Sequence, residues 1–319
     1  MDTFSTIITR SPLVDSRIRH AKRVAKTDMS VLLTGDTGTG KEIFAHAIQQ
    51  SSKRANSIFL TLNCAALPEN LIESELFGHK KGSFTDATHN TCGLLKSADG
   101  GTLFLDEINS LPLSIQSKLL HFLDSGEFLP IGEVSTQKVD VRIIAATNVD
   151  LLSLIPLKKF RTDLYFRLNA FPIDLPRLID REEDIALLIH YFFHLFADSN
   201  GTKPPTFSKD AIDILKNYAW PGNIRELRNV CERFSVLFSG TSIEPEHLPN
   251  EFRTNVRQCT AKQFILPENG LKLDALEANL IYQALYRTQG NYTKSAKLLG
   301  ISRNTLMYRI QKHGFDMKF

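Results

Sequence analysis

An α/β domain built on a parallel sheet, continued by a helical lid and followed by a small all-α C-terminal unit, is the architecture this sequence predicts. Three observations carry it. Residues 1–175 alternate short apolar, β-rich runs with helical stretches, the pattern of strands joined by crossover helices. The stretch Gly35–Glu42, reading GDTGTGKE, lies between an apolar run and a helical pattern, the strand–loop–helix context of a phosphate loop. Residues 272–319 hold a compact helical pattern broken at Gly300.

In chain order, the candidate strands are Val31–Thr34, Phe59–Asn63, Thr102–Asp106 and Val141–Ala145, each ending where polar chemistry begins. Open α/β sheets place ligands at such carboxyl ends. From Asp184 to Phe238 the pattern turns helical, with Ile185, Leu188 and Ile189 on one apolar face and Ser208 capping a second helix toward Tyr218. Pro245, Pro249, Pro267 and Gly270 break up the following stretch. The expected division is therefore a nucleotide-binding core over 1–175, a lid over 176–240, a linker over 241–271 and a terminal domain over 272–319.

Composition narrows the function classes. With 42% hydrophobic and 23% charged residues the 319-residue chain is ordinary for a globular protein. No apolar run approaches the roughly 18–20 residues of a membrane span, and the first residues lack the charged and apolar regions of a signal peptide. Cys64, Cys92, Cys231 and Cys259 lie far apart without a CxxC pair, which fits free thiols in the cytoplasm. His190 and His194 stand four apart with no third ligand in sequence and read as structural. Net charge is +3, yet Lys272–Phe319 holds eight Lys/Arg against three Asp/Glu, leaving −2 for the remainder. A basic tail on a mildly acidic body points to nucleic acid.

The nucleotide chemistry rests on three pieces in order. Gly35, Asp36, Thr37, Gly38, Thr39, Gly40 and Lys41 form the loop, whose glycines let backbone N–H groups face phosphate oxygens. Lys41 would reach the β- and γ-phosphates of ATP. Glu42 stands where a generic phosphate loop has Ser or Thr for Mg2+, so Thr39 or water would have to help with the metal. Downstream, the strand ending Leu103-Phe-Leu-Asp106-Glu107 delivers two carboxylates. Asp106 suits the metal shell, and Glu107 suits orienting or deprotonating the attacking water. Asn148, after the next strand, would touch the γ-phosphate or that water.

Between the loop and the acidic strand lies Glu73–Ala87, reading ESELFGHKKGSFTDA. Its Leu-Phe-Gly-His entry and Gly-Ser-Phe-Thr-Asp-Ala tip resemble the surface loop of bacterial enhancer-binding proteins, AAA+ ATPases that activate sigma-54 RNA polymerase. Almost the whole chain shares this resemblance, and Gly-Lys-Glu at Gly40–Glu42 is the family's usual reading. It implies that Gly82, Phe84, Thr85 and Asp86 form the sigma-54 contact, Asp86 replacing the family's glycine. It implicates Arg161 and Arg167 in Phe160–Leu168 as arginine fingers reaching a neighbouring subunit, and hence a homo-oligomer, usually a ring hexamer. Arg225, in Trp220-Pro-Gly-Asn-Ile-Arg225, matches the lid arginine that closes on nucleotide, and Asn63 the residue that restrains the catalytic glutamate. Leu175–Arg181, reading LPRLIDR, departs from the family's Leu-Pro-Pro-Leu-Arg-Glu-Arg at the lid hinge.

The tail Gly290–Leu306 resembles the family's Fis-type helix-turn-helix. Ala296 and Leu299 face inward, Gly300 turns, Ser302 caps the next helix, and Leu306 and Ile310 pack back at i, i+4 spacing. This leaves Ser302, Arg303, Asn304, Thr305 and Arg309 for DNA. The resemblance implies a sigma-54-dependent activator that hydrolyses ATP to open the closed promoter complex from an upstream site. Asp86 leaves open a second reading, an AAA+ DNA-binding regulator that binds ATP without remodelling sigma-54. Since the core starts within the first dozen residues, the expected control is in trans, by expression level or by a separate protein that restrains the ATPase.

Overall fold

The structure is a computed structural model, and it describes residues 3–83, 89–254, 273–288 and 290–313. The chain divides into two compact units, Met1–Arg257 and Gln258–Phe319.

The first unit is built on five parallel strands: β1 (Val31–Thr34), β2 (Phe59–Asn63), β3 (Thr102–Asp106), β4 (Arg142–Thr147) and β5 (Phe171–Asp174). Their spatial order is β2-β3-β4-β1-β5. Register sets Asn63 beside Asp106, and Thr34 beside both Thr147 and Asp174, so the carboxyl ends form one polar edge. Along each strand, side chains alternate between two apolar layers. Leu32, Leu103, Leu105, Ile143 and Ala145 face one core; Val31, Leu33, Phe104, Ile144 and Ala146 face the other. The second layer is completed by Val14, Ala21 and Val24 of α1 (Pro12–Ala25) and Phe44 and Ile48 of α2 (Lys41–Gln50). Leu76 and Phe77 of α3 (Glu69–Phe77) and Leu119 and Phe122 of α4 (Leu113–Ser125) complete the first. A helix α5 (Thr162–Leu168) packs beside α4 and leads into β5.

Three of the four expected strands have the expected bounds, while the fourth begins one residue later and runs on to Thr147. The fifth was not anticipated. Pro172 lies within it, and proline is confined to strand edges because it donates no ladder hydrogen bond; β5 is indeed one of the two edge strands.

The lid comprises α6 (Glu182–Asn200), α7 (Lys209–Asn217) and α8 (Asn223–Leu237). Glu182, Glu183 and Asp184 lie in the first turn of α6, where the helix dipole favours anions, and Gly201 ends it in a left-handed cap. Ser208 caps α7 as expected, its Oγ accepting from Ala211 N at 3.4 Å. The lid does not stop at residue 240. Ile243, Leu248 and Phe252 are buried in the same apolar cluster as Phe192, Trp220 and Leu227. The linker reading is corrected over 241–254, where irregular spacing hid apolar anchors; residues 255–272 lie outside the described residues. Trp220 is 1% exposed, rests on Tyr218 and Phe252 at ring distances of 5.2 and 5.6 Å, and donates from Nε1 to Leu215 O. Trp220→Ala is expected to cost about 3–5 kcal/mol, read as a lowered urea midpoint.

The second unit holds α9 (Leu273–Arg287), α10 (Tyr292–Leu298) and α11 (Arg303–Lys312). Ile281, Leu285, Ala296 and Leu306 form its core, with Leu299, Ile301 and Ile310 against it, as the spacing predicts. Gly290 and Gly300, at φ 79° and 65°, make the two turns.

Candidate functional site

The phosphate loop follows β1 and opens α2. Gly35, Gly38 and Gly40 have φ of 145°, 80° and 104°, a region that side chains rarely adopt. A Cβ on Gly38 would lie 2.3 Å from Gly222 O, so this loop backbone runs directly against the lid. Lys41 is 9% exposed and its Nζ donates to Gly35 O (2.7 Å) and Asp36 O (3.1 Å). Burial lowers its pKa, opposed by the carboxylates of Asp106, Glu107 and Asp36. Thr39 is 2% exposed and its hydroxyl donates to Asp36 O at 2.8 Å, so that side chain serves the loop itself. Glu42 is exposed in the first turn of α2.

Asp106 and Glu107 end β3 on the polar edge. Asp106 Oδ1 accepts from Glu107 N at 3.0 Å, which leaves its second oxygen available to a hard cation. Glu107 sits at φ 52°, a left-handed conformation that turns the chain sharply after the strand. Asn63 neighbours Asp106 in register, but its Oδ1 accepts from Ala65 N at 2.9 Å, and among the described residues no hydrogen bond joins it to Glu107. Asn148 donates from Nδ2 to Thr37 Oγ1 at 3.2 Å, bridging β4 to the phosphate loop. Its Oδ1 is buried without a hydrogen-bond partner, a vacant acceptor suited to a water or hydroxyl donor. Burial, reinforced by Asp106 and Glu107, pushes the Cys64 thiol up to about 12, so it stays a neutral packing group.

Arg225 is exposed on α8 and lines a cleft of about 350 Å³ with Thr37, Gly222 and Arg233. Thus the loop, the acidic pair, Asn148 and Arg225 share one region of the unit. Arg161 and Arg167 do not join them. Arg161 pairs with Asp163 (2.7 Å) and donates to Ser117 Oγ (3.0 Å), and Arg167 donates to Leu123 O (2.6 Å) beside Asp124. Both bond to residues of α4, and Arg161 lines a cleft with Leu113, Phe160 and a 69% exposed Phe166.

Sequence reasoning passed over two lid residues. Asn223, at φ 50°, donates from Nδ2 to Thr37 O (3.0 Å) and accepts from Leu178 N (2.8 Å). Arg181, 3% exposed, donates to Thr39 O at 3.1 Å. Asn223 stood in the very motif that drew attention to Arg225, and Arg181 closes the LPRLIDR hinge segment, but nothing in either motif points to their partners, which are backbone carbonyls distant in sequence.

The surface loop rises from α3. Leu76 and Phe77 anchor it in the core, and Gly78 turns at φ 80° into a short antiparallel pair, Gly78–His79 with Thr91–Cys92. A Cβ on Gly78 would lie 2.7 Å from Gly93 N and Thr91 O, which accounts for the glycine in Leu-Phe-Gly-His. His79 Nδ1 and Ser74 Oγ are 2.6 Å apart, and Lys80 N donates to Ile131 O at 3.0 Å. Gly82 stands in open space at φ 83°. Phe84, Thr85 and Asp86 lie outside the described residues.

In the second unit Ser302 caps α11, its Oγ accepting from Thr305 N at 3.1 Å and lying 2.7 Å from Thr305 Oγ1. Both hydroxyls are therefore engaged in the helix start, while Arg303 and Asn304 are exposed. Arg309 faces α9 instead of being outward and free: its guanidinium is 2.6 Å from Glu277, which also meets His313 at 2.9 Å. Residues on two helices separated in sequence made that pairing invisible to periodicity.

A phosphate loop, a strand ending in Asp-Glu, a polar residue on the adjacent strand and a helical lid define a P-loop ATPase of the AAA+ class. The comparisons agree. The family described as "Sigma-54 interaction domain" matches residues 7–174, "AAA+ ATPase lid domain" 179–263, and "Bacterial regulatory protein, Fis family" 272–313. Regulatory protein AtoC of Escherichia coli K12 is 45% identical over 315 residues, covering 97% of this chain and 68% of AtoC. Nitrogen fixation protein AnfA of Azotobacter vinelandii is 41% identical, covering 98% of this chain and 58% of AnfA. The crystal structure of NtrX from Brucella abortus in complex with ATP superposes with a TM-score of 0.71 at 32% identity, covering 97% of this chain and 69% of that one. The chain belongs to the family of sigma-54-dependent AAA+ transcriptional activators. Among the described residues no helix is long and apolar enough to cross a membrane.

Proposed function

We propose that this chain couples ATP hydrolysis to remodelling of the closed complex of sigma-54 RNA polymerase, while its helix-turn-helix holds upstream DNA. The observation that carries the reading is the joint placement of Lys41, Asp106, Glu107 and Asn148 on one edge of the sheet, beneath a lid that touches the loop. The phosphates lie on the loop and on Lys41. Asp106 would hold Mg2+, which would neutralise charge on the β- and γ-phosphates. Glu107 orients the attacking water and accepts its proton, and Asn148 Oδ1 takes a hydrogen bond from that water. Asn63 restrains Glu107 between turnovers, and Arg225 closes from the lid.

Arg161 and Arg167 serve a neighbouring copy. Their placement at the two ends of α5, bonded to Asp163 and Leu123 O, beside an exposed phenylalanine, supports a contact between subunits of a ring. The loop tip Gly82–Asp86 meets sigma-54, and its rigid base on α3 and Ile131 supports transmission of movement to it.

Arg303, exposed at the start of α11, reads bases, with Asn304 beside it. Arg303→Ala is expected to weaken specific DNA binding by about tenfold or more while leaving ATP turnover intact, as measured by mobility shift and phosphate release. Arg309, held by Glu277, ties α9 to α11 and adds positive charge facing the DNA backbone. The function is tested by transcription in vitro with sigma-54 polymerase, this chain and ATP. A transcript that needs both sigma-54 and this chain is expected; ATP turnover with no transcript would overturn the remodelling reading.

A further inference from the structure

The phosphate loop presents its carbonyl face to the lid. Thr37 O accepts from Asn223 Nδ2 at 3.0 Å, Gly38 O from Ile224 N at 2.9 Å, and Thr39 O from Arg181 Nη2 at 3.1 Å. In a planar trans peptide the carbonyl and the following N–H point in opposite directions. Fixing these oxygens toward the lid therefore turns the N–H groups of the next residues to the other side. Thr39 N–H is used within the loop, on Asp36 O at 3.3 Å, so the two groups placed for a phosphate are those of Gly38 and Gly40. Successive N–H groups aimed in this way form an anion-binding concavity.

We propose that Arg181 and Asn223 are positioning residues for the nucleotide: they set the direction of the loop's N–H groups by holding its carbonyls, without touching ATP. The inference rests on the nucleotide reading above.

The surroundings of Arg181 support this role over simple packing. Its guanidinium is 3% exposed, its Nε has no hydrogen-bond partner, and its carboxylate neighbour Asp184 is 4.0 Å away. Asp184 is itself occupied by Thr9 Oγ1 (2.7 Å), Arg10 N (2.6 Å) and Ser11 N (3.2 Å). A buried cation so loosely paired is costly to keep. Its direct hydrogen bond to Thr39 O is the contact that an apolar side chain of the same size could not replace. Asn223 is similarly placed, one amide joining the loop to the lid hinge at Leu178. Lid and loop are thus linked through adjacent peptides, and displacement of the lid releases all three carbonyls together.

The test is ATP binding by calorimetry and steady-state hydrolysis with the full chain, its Arg181→Met and Arg181→Lys variants, and Asn223→Asp. Arg181→Met is expected to weaken ATP binding about tenfold or more, raising KM with kcat at saturating ATP largely retained. Its thermal midpoint without nucleotide should stay at or above that of the parent. Arg181→Lys, whose ammonium can reach the same carbonyl, should recover most of the affinity. Asn223→Asp keeps the acceptor for Leu178 N but loses the donor to Thr37 O, and should repeat the affinity loss even if Arg181→Met does not fold. Folded Arg181→Met and Asn223→Asp proteins that bind ATP within about twofold of the parent would overturn the proposal. A parent chain that binds no ATP would overturn the nucleotide reading as well.

Discussion

Lys41→Ala is expected to weaken ATP binding by roughly a hundredfold or more and to take hydrolysis down with it. The ammonium is nearly buried, held over the loop by Gly35 O and Asp36 O, with Asp106, Glu107 and Asp36 around it. Removing it has two effects of the same sign. The triphosphate loses its most direct charge-assisted hydrogen bonds, each worth about 1.5–3 kcal/mol. Three carboxylates then face a polyanion without the cation that balances them. Together these amount to a loss of roughly a hundredfold or more in affinity. Calorimetric titration with ATP checks this; affinity within about threefold of the parent would remove Lys41 from its assigned place.

The second large effect separates binding from chemistry. Glu107→Gln is expected to bind ATP with ordinary affinity and to hydrolyse it about 10²–10⁴-fold more slowly, the usual contribution of a positioned general base. Glutamine preserves the volume and tolerates the same sharp backbone turn at φ 52°, where a β-branched residue would add strain. Asp106, one residue earlier, is left in place with its oxygen bonded to the same backbone N–H. Single-turnover phosphate release with preloaded ATP measures the step directly. Unchanged turnover would mean that another group, Asp106 or Asn148, activates the water.

Much of the core was legible because the strands that build the site read as apolar runs ending in polar residues. Val31–Thr34, Phe59–Asn63 and Thr102–Asp106 are of this kind. The edge strand Phe171–Asp174 was not, since Pro172 argues against a strand anywhere except an edge. The end of the lid escaped for another reason. Ile243, Leu248 and Phe252 are spaced by neither helical nor strand period, and only their burial beside Trp220 reveals them as core. Side chains that recognise backbone do not announce their partners: Arg181 and Asn223 act on carbonyls far away in sequence, and any residue could supply those oxygens. Arg309 shows the converse, a residue whose helical position suggested solvent but whose charge found Glu277 on a neighbouring helix.

The central claim is that hydrolysis at this site drives promoter opening. It is tested most directly by permanganate footprinting of a sigma-54 promoter, with polymerase and this chain, in ATP and in a non-hydrolysable ATP analogue. The account predicts melted bases with ATP and none with the analogue. Equal melting in both would show that nucleotide binding alone suffices, and no melting despite rapid ATP turnover would separate this ATPase from sigma-54 altogether.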